Sequence, residues 1–517
     1  MFPIPVLTPR QAAEWDRGAG SQGIAPATLM ETAGRAITGI IAERFPQAVR
    51  QGVLIAAGAG NNGGDGWVIA RALHRLGVPV WVAPLPPRAG TLAAQVAARA
   101  RSDGVRTVAA DGPWPAAGLL VDAILGTGAS GPPRDAALTL MERLADLALP
   151  LVCVDGPTGL DLADGVQHGL LHPALTVTFG GYRRGHLLAR DDVGDIVVVD
   201  IGFPPPDPGW PVLFTDHAAA ALLPPLRASM HKGDRGRIVV VGGSAGLTGA
   251  GRLAARAAFA AGSGLVHLLS PESSVAVFAA AEPDLQTMAQ PFESPLKAES
   301  RALLERANAV VVGPGLGLHP DRHRLVAEVL AIAQSAVVDA DALSAFAGNA
   351  DALARAVQGK SVVLTPHLGE FRGLAPDLAA GAAVDPWHAA IAASERLGTT
   401  VLLKGVPTVI ARAGAAPVTV ASGNPGLATG GSGDTLSGLI ATFLAQGLAP
   451  ETAAPLGAHV MGAAADLAAL RRSARALRPM DVVDALPDLW RGWELAHRSL
   501  SQVRPPIIHE LDRPRHA

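Results

Sequence analysis

"VLIAAGAGNNGGDGWVIARALHRLG" occupies residues 53–77. A continuous apolar run, 53–57, is followed by nine residues, 58–66, that hold five glycines, two asparagines and an aspartate. An alanine-rich stretch follows, and a second apolar run, "VPVWV", begins at residue 78. The pattern predicts strand, turn and helix over 67–77, then a parallel strand. Glycines after a parallel strand let a ligand's phosphates approach the backbone, and the next helix end offers free N–H groups. Gly58, Gly60 and Gly63 fit G-x-G-x-x-G, but the next strand ends "WVAPLPP", without the acid that an ordinary dinucleotide fingerprint places there. A tight turn alone does not need Asn61, Asn62 and Asp65.

The same alternation runs through the chain. "LLVDAIL", "LVCVD" and "IVVVDIG" continue it in the first part, and "RIVVVGG", "AVVVGPG", "SAVVDAD", "SVVLTP" and "TVLLKG" in the second. Strands apolar on both faces imply mostly parallel sheets covered by helices, an α/β class. A length of 517 residues exceeds one ordinary core. The proline-rich segment 203–226 reads as a linker, with domains over 1–215 and 222–500. The proline-rich, charged tail 501–517 is expected to fray.

Composition narrows the classes. Net charge is −3 with no charged block, which gives no footprint for nucleic acid or a charged membrane. One cysteine, Cys153, excludes a disulfide scaffold and a cysteine zinc site, and fits a reducing cytoplasm. The opening residues lack a signal-peptide core, and no uninterrupted apolar run reaches roughly 18 residues. Mean hydropathy is +0.29, largely from alanine.

Polar groups gather at the expected carboxyl ends of strands, where open parallel sheets bind ligands. In the first half these are Asn61, Asn62 and Asp65, Asp122 with the loop Gly126–Pro132, and Asp155 with Thr158. Such oxygens suit a nucleotide-like ligand and a hard cation. In the second half, "GNPGLATGGSGD" (423–434) leads into a helix that starts near Asp434. Free N–H groups there would form an anion hole, with Asp434 placed to accept a proton from a hydroxyl attacking phosphorus. His367 and Glu370 follow one apolar run, and Lys404, a point charge suited to phosphate, follows another. "GGSAG" (242–246) also fits a nucleophile elbow, which leaves a serine hydrolase with Ser244, Asp341 and His367 as an alternative. "GKS" at 359–361 lacks the upstream glycine of a phosphate loop, since Ala354 stands there.

"GAGNNGGDG", "VDAILGTG" and "VDGPTGLD" resemble the epimerase domain of the NAD(P)H-hydrate repair enzymes, from "LTPRQAAEWDR" to about residue 215. The resemblance implies a Rossmann-like domain. It implies that Asn61, Asn62, Gly63, Gly64, Asp65, Gly126, Thr127, Gly128, Ala129, Ser130, Gly131 and Pro132 hold the hydrated dinucleotide. Asp155 would contact its reacting end, and Asn62, Asp122 and Thr158 would bind potassium. The family usually reads D-[IL]-P-S-G where this chain has "DGPTG", and a lysine where it has Arg183.

The set "HKGDRG", "GGSAGLTGAG", "VGPGLG", "DADAL", "TPHLGE", "LLKG" and "GNPGLATGGSGD" resembles the ADP/ATP-dependent NAD(P)H-hydrate dehydratases over about 225–490. This implies a ribokinase-like domain in which Ala250, Gly315 or Gly317, His367 and Asp434 contact the hydrate. Lys404, Gly405, Val406, Pro407, Thr408 and Gly433 would contact the adenine nucleotide. Taken together, the halves resemble the bifunctional repair enzymes. The resemblance implies ADP or ATP as co-substrate with Mg2+, potassium in the first domain, and a cytoplasmic homo-oligomer. A ribokinase-like small-molecule kinase with a regulatory first domain remains the nearest alternative. A binding protein with dead sites fits less well, because the aspartates and glycines are intact.

Overall fold

The computed structural model describes residues 3–169, 171–496 and 506–513. Two compact units divide the chain: Met1–Trp210 together with Gln502–Arg513, and Pro211–Ser501.

The first unit is built on an eight-stranded sheet. Its spatial order is Ile507–Leu511, Asp195–Val199, Leu175–Phe179, Leu151–Val154, Leu119–Ala123, Val53–Ala57, Val80–Pro84 and Arg106–Thr107. Every neighbouring pair is parallel except the first. Alternate side chains feed two cores. Val53, Ile55, Val121 and Val154 face one layer with Ile37, Ile41 and Trp67, and Leu54, Leu120 and Cys153 face another with Met141 and Leu144. From Val53–Ala57 the chain winds outward to Arg106–Thr107, then returns to Leu119–Ala123 on the opposite side. The loops after these two central strands therefore diverge, and a crevice opens between them.

The helix after Val53–Ala57 begins at Asn61, not at Trp67 as the sequence suggests; it spans Asn61–Arg75. The glycines are helical because they let that first turn lie hard against its surroundings. A Cβ on Gly63 would sit 1.8 Å from the Gly58 oxygen, one on Gly64 2.6 Å from Met30 Cε, and one on Gly66 2.8 Å from Ala123 Cβ. Only Gly58–Gly60 remain as the turn.

The second unit carries a ten-stranded sheet in the order Val212–Leu213, Val418–Val420, Thr408–Ala411, Thr400–Leu403, Ser361–Leu364, Ser335–Val338, Ala309–Val312, Arg237–Val241, Leu265–Ser270, Gln286–Ala289. Thr408–Ala411 runs antiparallel to both its neighbours. The switch point lies between Arg237–Val241 and Ala309–Val312. On one face, Ile238, Val240, Val311, Val337, Val363 and Leu402 pack beneath the helices Thr248–Ala260, Ser432–Ala445 and Pro450–Arg471. Pro450–Arg471 is long and apolar enough to cross a membrane, but 67% of its most apolar window is buried here, which marks it as a core helix.

Two segments differ from expectation. The stretch read as a linker, 203–226, is built into the units. Phe203 stacks on Trp15 at 4.5 Å and Trp210 meets it edge-on, whereas Val212–Leu213 pairs with Val418–Val420 and Asp216–Leu222 is a helix. The proline count hid two residues able to join a sheet edge. The division thus falls at 210/211, earlier than 215. The tail expected to fray includes Ile507–Leu511, which pairs antiparallel with Asp195–Val199. Its apolar residues cover an edge that would otherwise expose unpaired backbone groups. Residues 501–505 and 514–517 of that tail lie outside the described residues.

Helix packing in the second unit is as close as in the first. A Cβ on Gly438 would lie 2.1 Å from the Ala254 carbonyl oxygen. Gly438→Ala should lower the unfolding free energy by about 1–3 kcal/mol, as overpacking does. Gly492→Ala, at an exposed position in Pro479–Ala496 with nothing within 4 Å, should instead stabilise by up to about 1 kcal/mol. Denaturant titration of the two variants checks both signs.

Candidate active sites at the two switch points

In the first unit, the strand end after Leu119–Ala123 crosses to the one after Leu151–Val154. Asp122, fully buried, accepts from Thr158 Oγ1 at 2.8 Å, from Thr158 N at 2.7 Å and from Ile124 N at 3.1 Å. Burial raises its pKa, and the Thr158 and Ile124 bonds oppose the rise. Only dipoles face this carboxyl among its hydrogen-bond partners. Asn62 Nδ2 is buried without a hydrogen-bond partner among the described residues. A monovalent cation would supply the charge that Asp122 lacks, and the Asn62 amide can turn its oxygen inward. The donor set therefore fits potassium.

Asp155 stands next to this group at φ +66°, an unusual conformation for a non-glycine residue. Its Oδ2 accepts from Thr127 N at 2.6 Å. Its Oδ1 is 3.3 Å from Thr178 Oγ1 and 3.4 Å from Arg183 Nη2. A Cβ on Gly126 would come within 2.8 Å of Asp155 Oδ2 and 3.2 Å of Asn62 Oδ1, so the strand-end loops converge as expected. Burial would raise Asp155, but Arg183 and the Thr127 bonds outweigh it and hold the carboxyl below its ordinary value. Asp65 is pushed well above its ordinary value by burial, then by Asp155 and Asp16. One carboxyl is held below its ordinary value and a neighbour is pushed above it, a separation that suits acid–base chemistry. Arg183 also donates through Nε to Thr127 Oγ1 at 3.0 Å and through Nη1 to Gly181 O at 2.9 Å. His186 accepts from Arg183 N through Nδ1 and reaches Asp155 O through Nε2 at 2.7 Å. Burial, then Arg183, lowers it to about 4, so it is neutral at pH 7.

In the second unit, Asp339 follows Ser335–Val338 and is buried. It pairs with Lys404 Nζ at 2.8 Å and accepts from Ser437 Oγ at 2.6 Å. The next residue, Ala340, has φ +49°. Glu370 approaches Lys404 at 3.8 Å. His367 is exposed and caps Leu368–Leu374, its Nδ1 accepting from Gly369 N and Glu370 N. Ser432–Ala445 begins behind Gly431, with no side-chain cap. The Gly433 and Asp434 N–H groups have no acceptor among the described residues. A Cβ on Gly433 would lie 3.3 Å from Lys404 Nζ and 3.5 Å from Asp339 Oδ2. Asp434 is raised to about 7, first by burial and then by Asp339, against the pull of Lys404. Across the crevice, Gly317 N donates to Asp341 Oδ2 at 2.8 Å, and Gly315 packs on Leu247 and Ala250.

Residues 238–488 match the family model described as NAD(P)H-hydrate dehydratase, and residues 26–185 the model described as YjeF-related protein N-terminus. The bifunctional NAD(P)H-hydrate repair enzyme Nnr of Moorella thermoacetica is 36% identical over 95% of this chain and 97% of its own length. The chain belongs to the bifunctional NAD(P)H-hydrate repair enzymes. The corresponding enzyme of Escherichia coli K12 is 34% identical over 89% of this chain and 88% of its own. The second unit also resembles the Bacillus subtilis ADP/ATP-dependent NAD(P)H-hydrate dehydratase co-crystallised with ATP and Mg2+. That match has 28% identity, a TM-score of 0.48, and covers 54% of this chain and 98% of the other. Epimerase and dehydratase thus occupy one repair-enzyme chain.

The hydrolase alternative finds no support. Ser244 Oγ donates to the Leu316 carbonyl at 2.7 Å, Asp341 is engaged by Gly317, and His367 by its own helix turn. Lys404, a point charge suited to phosphate, has its ammonium paired with Asp339 in the structure. Sequence reasoning missed Asp339 as an individual residue, although it lies in "DADAL" directly after an apolar run. It also missed Asp16, Thr178, His186 and Ser437. The groups they act on, Asp155 O for His186 and Asp339 for Ser437 among them, come from distant elements, so no local spacing marks them.

His186 in the first unit and Asp434 in the second should contribute to stability with opposite pH dependence. Folding lowers the pKa of His186 from 6.5 to about 4, so the folded form binds fewer protons. Its contribution is intact above pH 6.5 and is lost as pH falls toward 4. Folding raises Asp434 from 3.8 to about 7; its contribution is intact below pH 3.8 and is lost as pH rises through 7. Melting curves of Asp434→Asn between pH 5 and 8 should show an advantage over the parent chain that grows with pH. His186→Gln should flatten the acid limb.

Proposed function

We propose that the second unit moves a phosphoryl group from ADP to the C6 hydroxyl of the S hydrate, with Asp434 as proton acceptor. The hydroxyl oxygen bonds to the terminal phosphorus as the bridging oxygen leaves with AMP, and Asp434 takes the hydroxyl proton. The nicotinamide nitrogen then expels phosphate from C6, C5 gives up its proton, and the C5–C6 double bond returns. Hydroxide is a poor leaving group and phosphate a good one, which is why a nucleotide is spent. The single observation that carries this reading is a carboxyl raised to about 7 at an uncapped helix start, where the Gly433 and Asp434 N–H groups have no acceptor among the described residues. The helix end neutralises transferring phosphate charge, and a base with a pKa near ambient pH is matched to its task. Asp339, Asp341, Glu370 and Asp434 outnumber Lys404, so the anionic nucleotide calls for a divalent cation, and Mg2+ meets that need. Ala250, Gly315, Gly317 and His367 border the hydrate in this reading, and Lys404–Thr408 and Gly433 the nucleotide.

The first unit interconverts the epimers. Asp65, its carboxyl pushed up by burial, supplies a proton to the departing C6 hydroxyl, and Asp155, held below its ordinary value, stabilises the ring cation. Water returning to either face gives both epimers. Gly126, Ala129 and Gly131 line the cleft beside Asp155. Asn62, Asp122 and Thr158 would hold potassium, whose charge would offset that of the buried Asp122 carboxylate. The enzyme works in the cytoplasm as a homo-oligomer.

Asp434→Asn should lower dehydration by roughly 10²–10⁴, the usual scale for a general base. The variant should still bind ADP and still epimerise the R form. In the parent chain, dehydration should rise as pH passes 7, where Asp434 loses its proton. Recovery of nicotinamide absorbance from hydrate and ADP measures both, and near-parental turnover in the variant removes Asp434 from the chemistry.

For the cation, melting of the full chain in KCl and in choline chloride at equal ionic strength is the direct readout. KCl should raise the parent's melting temperature, and Asp122→Asn should abolish the difference. An unchanged potassium response in that variant would exclude Asp122 as a ligand.

A further inference from the structure

The C-terminal strand reaches into the epimerase unit's polar network. Ile507–Leu511 lies antiparallel on Asp195–Val199, with His509 opposite Val198 and a bulge between Ile507 and His509. Tyr182 is fully buried, and its hydroxyl meets His509 Nδ1 at 2.6 Å. Arg190, also buried, donates to Gly194 O at 2.7 Å, to Leu511 O at 3.0 Å and to Asp512 O. Glu510 pairs with Arg44 at 2.7 Å, and Arg513 N donates to Asp195 Oδ1 at 2.7 Å. Without these residues a buried hydroxyl and a buried guanidinium would each lose partners, the costly kind of loss.

The residue after Tyr182 is Arg183. Its guanidinium touches Thr127 Oγ1 and Asp155 Oδ1, and is tied to its own segment by the Gly181 and Phe179 carbonyls. Guanidinium and segment therefore move together. Val6–Leu7 pairs with Tyr182–Arg183 through the backbone, while His509 fixes the far end of the Tyr182 ring.

We propose that the C-terminal strand is a positioning element of the epimerase site: His509, through Tyr182, holds Arg183 against Asp155 and Thr127. This rests on the proposed reading that Asp155, which Arg183 contacts, faces the hydrate. Epimerisation then depends on residues that follow the whole dehydratase in the chain, and a fragment ending at residue 215 lacks part of its own site.

The test uses the full chain, a chain lacking 502–517, and the variants His509→Leu, His509→Gln, Tyr182→Phe and Arg183→Ala. The truncated chain and His509→Leu should lose at least tenfold in kcat for R-to-S epimerisation. Dehydration of the S hydrate should stay within twofold. His509→Gln, whose amide can meet the Tyr182 hydroxyl, should regain most of the loss. Tyr182→Phe should resemble His509→Leu, and the double variant should be no worse than either single one. If His509→Leu melts lower but epimerises within twofold of the parent well below its melting temperature, the strand is only structural and the proposal falls. If the truncated chain does not fold, the single variants decide alone. Arg183→Ala separates the two failures. Normal epimerisation there overturns the site reading itself, whereas its loss alongside normal His509 variants overturns only the positioning role.

Discussion

Both units depend on one backbone contact at the switch point. A Cβ on Gly58 would lie 1.9 Å from the Ile124 carbonyl oxygen, and one on Gly242 2.0 Å from that of Pro314. Each glycine directly follows one of the two strands that flank its switch point, and each carbonyl belongs to the loop after the neighbouring parallel strand. No side chain fits between them. The diverging loops are locked at their bases, and their tips are left to open a crevice. Gly313 repeats the device one strand further on, where a Cβ would meet the Asp339 oxygen at 1.8 Å. A ligand can reach the helix ends because the side chains that would fill the crevice floor are absent.

That rigidity allows conformations that an isolated peptide would avoid. Asp155 at φ +66° and Ala340 at φ +49° each stand just past the end of a buried parallel strand. In the first unit the kink falls on the carboxylate itself; in the second it falls on the residue after Asp339. Strain of this kind persists only where surrounding packing over-determines it. Each buried carboxylate then takes a different cation. Asp339 has the compact ammonium of Lys404, whereas Asp155 has the forked guanidinium of Arg183. The fork matters, because Arg183 satisfies Thr127, Gly181 and Asp155 from one plane. A lysine could present only a point charge there.

The sequence conveyed the strands because parallel strands buried on both faces need no periodicity to be seen; "VLIAA" and "RIVVV" are apolar without interruption. It misplaced the helix start at Trp67, because glycines read as turn residues when their packing partners are unknown. Gly63 and Gly66 are helical for tertiary reasons. It misread 203–226 because proline content speaks against a central strand but not against a two-residue edge strand such as Val212–Leu213. The tail was misread for a related reason: "IIHEL" is too short to signal anything until an open sheet edge is available. Asp434 was visible through the glycines that precede it. Asp339 was not, since its role depends on Lys404 and Ser437, 65 and 98 residues away.

The Asp339–Lys404 pair bears on why Asp434 keeps its proton near neutrality. A lysine beside Asp434 would by itself hold that carboxyl ionised and weaken it as a base. Lys404 is already claimed by a buried Asp339, closer at 2.8 Å, and by Glu370 at 3.8 Å. Its field at Asp434 is thereby largely cancelled, and the negative Asp339 raises Asp434 more than Lys404 lowers it. Ser437, one turn along the same helix, fixes Asp339 from the other side. The helix that presents the free N–H groups thus also anchors the carboxylate that tunes its own base. Anion hole and proton acceptor are consequently set by a single element, which the Ser437 hydrogen bond ties to the buried Asp339.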